Sequence, residues 1–377
     1  MARSDRARRW GPSLRTASEV ALALALGGLG GGLFAALALP LPWLLGALAA
    51  TTLASLLGLR LAVPGSLRRP MIALLGVMLG STFTPERLVG ALAWLPSLAA
   101  LPFYVVAVGA LILLYLRRLS GFDRATAFFA ATPGGMSEMI ALSDQLGGDQ
   151  RRVSLIHGTR LLFIVFTIPF LARAFGADVP AVASVAEAVA PAPLDLALLA
   201  LCGVLGYLFA RRVRLPAATF IGPLLGSMAV HLAGWIETQP PYLLLALAQL
   251  VIGSSVGARF SGTPLALVAR SLALGAGATL LMLAVTFAFG GILHALTGQP
   301  LGLLLLAFIP GGFAEMSLIA LGMGVDPAFV VTHHSLRVFL VVLIALPLFA
   351  WLRRSGWLHG GPADRTPRSG RDPTEGT

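Results

Sequence analysis

Charge is what this chain has least of. Asp, Glu, Lys and Arg make up 11% of the residues, less than half the roughly 25% of an ordinary soluble domain. That scarcity excludes a soluble globular protein. Lysine is missing altogether, so all 27 basic residues are arginines, and without a lysine there is no P-loop and no ATPase motif. One cysteine, Cys202, excludes an internal disulfide and a thiolate cluster. Histidines number six, and apart from the adjacent pair His333–His334, which point apart on a helix, they lie far apart or in opposite halves. A copper or iron oxygenase needs its imidazole and carboxylate ligands clustered, so neither an enzyme nor a cofactor or metal is expected. Alternating ten-residue strands are also absent, which leaves no transmembrane barrel.

What fills the chain instead is apolar. Hydrophobic residues reach 57% and mean hydropathy is +0.87. The runs Val20–Leu39, Leu92–Leu116, Val153–Phe175, Leu194–Phe209, Leu272–Leu296 and Phe329–Trp351 have the roughly 20-residue length that a helix needs to cross about 30 Å of hydrocarbon. In lipid the backbone must satisfy its own polar groups, so a helical bundle is the remaining solution. The formal charge of +11 does not mark a nucleic-acid surface. Its arginines gather at helix ends and tails, from Arg3 to Arg15 and at Arg68–Arg69, Arg117–Arg118, Arg211–Arg212 and Arg353–Arg354, where basic residues orient spans. The expected partners are the lipid bilayer and a small-molecule or ion substrate, with no direct nucleic acid. A homo-oligomer is left open. The expected location is a bacterial inner membrane.

The chain repeats itself. Gly27, Gly30, Leu39, Pro40 and Gly46 recur 176 residues later as Gly203, Gly206, Leu215, Pro216 and Gly222. The first helix therefore reads as a retained span and not as a cleaved signal, since its copy lies in mid-chain. From Gly76 the offset becomes 177. Gly76, Gly80 and Phe83 match Gly253, Gly257 and Phe260, while Asp149, Val153, His157 and Arg160 match Asp326, Val330, His334 and Arg337. A constant register through unlike residue types marks an internal duplication. The expected division is an Arg-rich tail over 1–17, repeats over 18–177 and 195–353, a linker over 178–194, and a disordered tail over 354–377.

The most informative element is "TPGGMSEM", beginning at Thr132, with its copy "IPGGFAEM" beginning at Ile309. Proline removes a backbone donor and paired glycines open conformations closed to other residues, so each PGG breaks a helix and frees backbone polar groups. Such groups are tolerated at membrane depth only inside protein or beside a watery cavity, as in the discontinuous helices of transporters. Arginine placement indicates how the segment runs. If Asp123–Gln145 and its copy dip in and return to the same face, 23 arginines fall on the N-terminal side and only Arg87 and Arg173 on the other; full crossing would move seven outward and leave 16 against 9. Re-entry leaves five crossings per repeat. Because five is odd, the second repeat enters from the opposite side, with both termini cytoplasmic.

The candidate binding set is Pro133, Gly134, Gly135, Glu138, His157 and Arg160, with Pro310, Gly311, Gly312, Glu315, His334 and Arg337 in the copy. The two glutamates have two readings. One makes them local caps of the half-helix or structural partners of Arg160 and Arg337; the other has them bind a cation, a proton or a substrate amine, since an intramembrane carboxylate is costly to write twice. An arginine about 12 Å into a span must find a carboxylate, backbone carbonyls or an anionic ligand. His157 and His334 could shuttle protons or simply bond to backbone. Asp149 and Asp326 read as helix N-caps.

The doubled PGGxxEM and the H-x-x-R that follows each copy resemble the AbrB family of bacterial membrane proteins, built from a tandem duplication domain. The resemblance covers nearly all of the chain between its tails. It implies a membrane protein whose relatives carry conflicting labels: regulator of gene expression, ammonia monooxygenase, or transporter. A soluble DNA-binding protein shares the family's name, and nothing here is similar to its small β-rich fold. The expectation is an all-α polytopic membrane protein of about ten spans in two inverted repeats, each with a discontinuous or re-entrant PGG helix. Gradient-driven transport of a small solute is the favoured activity. The alternative is a membrane sensor that affects gene expression indirectly.

Overall fold

A computed structural model describes residues 14–174, 192–236, 238 and 240–355. The linker and the two tails fall almost wholly outside the described residues. Every element among those described is helical. In chain order they are α1 (Leu14–Ala36), α2 (Pro42–Leu56), α3 (Gly65–Gly80), the short α4 (Pro85–Gly90), α5 (Leu95–Leu119), α6 (Arg124–Ala131), α7 (Met136–Gln145) and α8 (Gln150–Ala174). The second half gives α9 (Pro193–Arg212), α10 (Ala218–Leu232), α11 (Tyr242–Gly257), α12 (Leu265–Thr297), α13 (Leu301–Phe308), α14 (Phe313–Gly322) and α15 (Pro327–Arg354). The duplication extends to element boundaries: α10 is α2 moved by 176 residues at both ends, and α11, α13 and α14 are α3, α6 and α7 moved by 177.

Among the described residues seven helices are long and apolar enough to cross a bilayer: Thr16–Ala36, Ala91–Leu119, Gln150–Leu171, Pro193–Arg212, Leu243–Phe260, Leu265–Thr297 and Pro327–Arg354. These contain the core of each long apolar run seen in the sequence. Helices α2 and α10 are shorter. At 15 residues each they rise about 22 Å, less than the hydrocarbon thickness.

Small residues decide how these helices meet. A side chain at Gly30 or at Gly46 would strike the backbone of the other, and Gly206 and Gly222 stand in the same relation. Helices α1 and α2, and likewise α9 and α10, are therefore in backbone contact, the close approach that glycine permits between apolar helices. The halves interleave. Gly76 and Gly80 of α3 lie on Phe220–Leu224 and Leu224–Met228 of α10, while Gly253 and Gly257 of α11 lie on Leu44–Ala47 and Leu48–Thr52 of α2. In both pairs residue numbers rise together, so α3 runs parallel to α10 and α11 to α2.

The counterpart helices α5 and α12 run the other way. Tyr104 Oη and Thr286 Oγ1 are 2.8 Å apart, Arg270 Nη2 donates to the Ser120 carbonyl at 2.7 Å, and Gln299 Nε2 beyond α12 donates to the Ala93 carbonyl at 3.4 Å. Numbers climbing along one helix fall along the other. A two-fold operation that relates two antiparallel copies has its axis perpendicular to them.

Each PGG segment forms a helical hairpin. Asp123 caps α6 by accepting from the Thr126 amide at 2.8 Å, which satisfies one orphan donor of that helix. The Thr126 hydroxyl then accepts from the Asp149 amide at 2.7 Å. The start of α6 and the start of α8 are thus joined, and α7 is the returning arm. Phe129 of α6 and Thr132 at its end bond to His157 and Arg160 of α8, so α6 runs parallel to α8. Leu306 and Ile309 bond to His334 and Arg337 in the same way, which sets α13 along α15. Asp326 caps α15 by accepting from the Ala328 amide at 3.1 Å, and Asp149 accepts from the Arg152 amide at 3.0 Å.

Candidate functional site

The break in each hairpin follows from PGG. Helix α6 ends as Thr132 turns extended, and Gly134 and Gly135 take φ values of +140° and +58°, where a Cβ is disfavoured. In the copy Ile309 is likewise extended, but Gly312 has an ordinary φ of −68°. The two breaks match in sequence and differ in backbone conformation.

Ending a helix in the interior leaves carbonyls without donors. The H-x-x-R motif supplies them. Arg160 Nη1 donates to the Thr132 carbonyl at 3.2 Å. Arg337 donates to Phe308 at 3.2 Å, Ile309 at 2.7 Å and Gly311 at 3.3 Å. A guanidinium only donates and suits the negative end of a helix. Each second guanidinium nitrogen lies 2.8–2.9 Å from Nδ1 of His157 or His334. That nitrogen must accept, which assigns the ring proton to Nε2 and lets it donate to the Phe129 or Leu306 carbonyl at 3.0 Å. The arginines therefore bond to backbone carbonyls and histidine, and no ion pair joins them to Glu138 or Glu315.

The two hairpins meet across the halves. A Cβ at Gly134 would lie 3.5 Å from Arg337 Nε and 3.6 Å from Val341 of α15, while one at Gly312 would lie 3.0 Å from Leu161 of α8. Around this junction is a cavity of about 390 Å³, within the size range of small-ligand sites. Of the twelve residues expected from sequence, ten line it: Gly134, Gly135, Glu138, His157, Arg160, Pro310, Gly311, Gly312, Glu315 and Arg337. Pro133 and His334 do not. Pro133 faces Gly109 of α5, and His334 stands behind Arg337 as its acceptor.

Glu138 and Glu315 occupy the first turns of α7 and α14, where a negative charge complements the helix dipole. Their surroundings differ. Glu138 is half-buried and forms no ion pair. Glu315 is 2% exposed, and its Oε1 stands 3.7 Å from Arg68 Nη2 without a hydrogen-bond partner. Arg68 and Arg69 also line the cavity, as do Ala217–Phe220 at the start of α10. Arg259 sits beside it, donating to Met136 Sδ at 2.7 Å. Sequence reasoning assigned Arg68 and Arg69 to orientation alone. The missed signal is their lack of counterparts, since the copy has Leu245 and Ala246. Among the described residues no three His, Cys, Asp or Glu side chains gather as a metal site would require.

Comparison with known proteins adds a family. Residues 7–353 match the family described as "Transition state regulatory protein AbrB". The chain is 27% identical over 311 residues to "Putative regulator AbrB" of Escherichia coli (strain K12), covering 82% of this chain and 89% of that protein. It is 28% identical over 269 residues to "Uncharacterized protein YhjN" of Bacillus subtilis (strain 168), covering 66% and 68%. No solved structure matches.

Proposed function

The chain belongs to the AbrB family, and from that premise we propose that it is a gradient-driven secondary transporter of a small solute, with its substrate site where the two PGGxxEM hairpins meet. The observation that carries this reading is the shared cavity: residues from both halves, 177 apart in sequence, converge on one space of about 390 Å³. Broken helices around a central cavity are the means by which many secondary transporters bind solutes.

The topology in this reading has about ten crossings, α1, α2, α3, α5 and α8 with their copies, the short α2 and α10 spanning where the bilayer thins around them, and two re-entrant hairpins. The antiparallel course of α5 and α12 supports an inverted pair, and the bond between Thr126 and Asp149 supports re-entry. Arg160 and Arg337 lie eleven residues beyond Asp149 and Asp326, about 16 Å along their helices and so near the bilayer midplane. Both termini are cytoplasmic in a bacterial inner membrane. The cavity mouth formed by Arg68, Arg69 and the start of α10 then lies on the cytoplasmic side, and the conformation is inward-facing. The differing φ of Gly135 and Gly312 fits a site whose two hairpins exchange conformations as access alternates.

Glu138 and Glu315 are the coupling residues in this scheme, because an ionisable carboxylate at such a cavity can take up a cation or proton. The PGG backbone and the two arginines shape the site, with His157 and His334 holding those arginines. No enzymatic activity is assigned. The rival is a membrane sensor that binds the same solute without moving it, and the word "regulator" in the Escherichia coli relative's name favours it. Uptake of labelled succinate into proteoliposomes, with and without a proton gradient, separates the two. Gradient-driven flux that Glu138→Gln and Glu315→Gln abolish is the expected result. Binding without flux would establish the sensor and overturn transport.

A further inference from the structure

The cavity is richer in positive charge than its duplicated motif requires. Four guanidinium groups line it, Arg68, Arg69, Arg160 and Arg337, against two carboxylates, Glu138 and Glu315. The N-terminal ends of α7, α10 and α14 also border it, and each adds positive character. Bonding is incomplete within this charge. Arg337 is 1% exposed and its Nε lacks a partner. The buried Nε of Arg68 also lacks one, as does Glu315 Oε1. A buried donor left unmade is costly, and an arriving acceptor would relieve that cost.

We propose that the substrate is a small organic anion bearing a carboxylate, and that it binds by displacing Glu315 from Arg68. This deepens the reading of the cavity as a solute site and rests on it. At 3.7 Å the Arg68–Glu315 pair is an ion pair without a hydrogen bond, beyond the usual 2.7–3.2 Å. A substrate carboxylate can engage Nε and Nη together in the parallel fork that arginine presents. An organic body is required by the rest of the wall. Ile72, Leu161, Phe220, Phe313 and Val338 are apolar, and the space far exceeds a bare oxyanion. A cationic solute would meet carboxylates already outnumbered by arginines.

Displacement has a consequence for protons. Glu315 would lose Arg68 in a buried place and keep only the attraction of Arg259, and taking up a proton as the anion enters offsets one unit of the anion's charge. The groups around it are Arg68 and Arg69 on α3, Glu138 on α7, His157 and Arg160 on α8, His334 and Arg337 on α15, and Arg259 after α11. Of these, only Glu315 loses a partner on binding. One proton is then taken up with each anion bound.

The test is binding to the full-length protein in nanodiscs without a gradient, by isothermal calorimetry with acetate, succinate and citrate, and with inorganic phosphate and putrescine as contrasts. At least one carboxylate should bind with proton uptake, more tightly as pH falls, while phosphate and putrescine should not bind. Arg68→Gln should weaken that binding by about tenfold or more, and Arg68→Lys, which keeps the charge without the fork, should weaken it less. Glu315→Gln should bind the carboxylate more tightly and lose the proton uptake. Failure of all three carboxylates, binding of putrescine, or indifference of a folded Arg68→Gln variant would overturn the proposal. Because no flux is measured, a protein that binds carboxylates but does not transport them would refute transport and leave this inference standing.

Discussion

Arg160 and Arg337 are copies in sequence, yet their replacements should differ in cost. Arg337→Met keeps the length and apolar body of the side chain and removes every donor. The Phe308 and Gly311 carbonyls then lose their partner, while the Ile309 carbonyl keeps the Gly311 amide at 2.8 Å. A buried acceptor left unsatisfied costs about 1–3 kcal/mol, and water entering from the adjoining cavity offsets part of this. The expected loss is roughly 2–4 kcal/mol. Arg160→Met uncovers none, because the Thr132 carbonyl keeps the Gly134 amide at 3.1 Å, and it costs about 1 kcal/mol. Both variants lose a bond to histidine and the same buried charge, so those contributions cancel in the comparison. Equilibrium unfolding in one detergent should place Arg337→Met below Arg160→Met by roughly 1–3 kcal/mol. Equal losses would show that the carbonyl count does not govern the stability of the hairpins, and a neutral Arg337→Met would refute the clamp itself.

Three other expectations follow from the same geometry. Gly46→Val drives a side chain into the Gly30 backbone, whereas Gly28 faces open space; Gly46→Val should abolish a monodisperse peak in fluorescence size-exclusion while Gly28→Val keeps it. Gly135→Ala, at a φ of +58°, should lower stability by about 1 kcal/mol in the same unfolding assay. In a Cys202→Ser background, single cysteines at the exposed counterpart positions Arg118 and Ala295 should react with impermeant thiol reagents from opposite faces of the membrane, and reaction from one face would eliminate the inverted arrangement.

How much of this could be read beforehand differs by feature. The helix breaks at Pro133 and Pro310, the clamping arginines and the two-copy plan were legible because they depend on local chemistry: a missing donor, a freed φ, a charge too deep in an apolar run. The pairing of Arg160 and Arg337 with carbonyls, and not with the glutamates, was one of several open alternatives. It was decided by distance, since the freed carbonyls lie within one guanidinium's reach on the neighbouring helix. Arginine placement pointed to a returning segment, and the bond between Thr126 and Asp149 brings the start of α6 beside the start of α8.

Composition and register by themselves determined that this chain is helical, apolar and duplicated, because those properties are sums and periodicities along one dimension. Only the tertiary structure decided which residues share the cavity. Arg68 and Arg69 have no copy and sit at a helix start like any orienting arginine, and Glu315 differs from Glu138 only in what surrounds it. The physical reason is interleaving: α3 of the first half packs along α10 of the second, which carries unduplicated arginines to a duplicated carboxylate more than 240 residues away. No local pattern encodes that encounter, because it arises from packing two copies against each other and not from either copy alone.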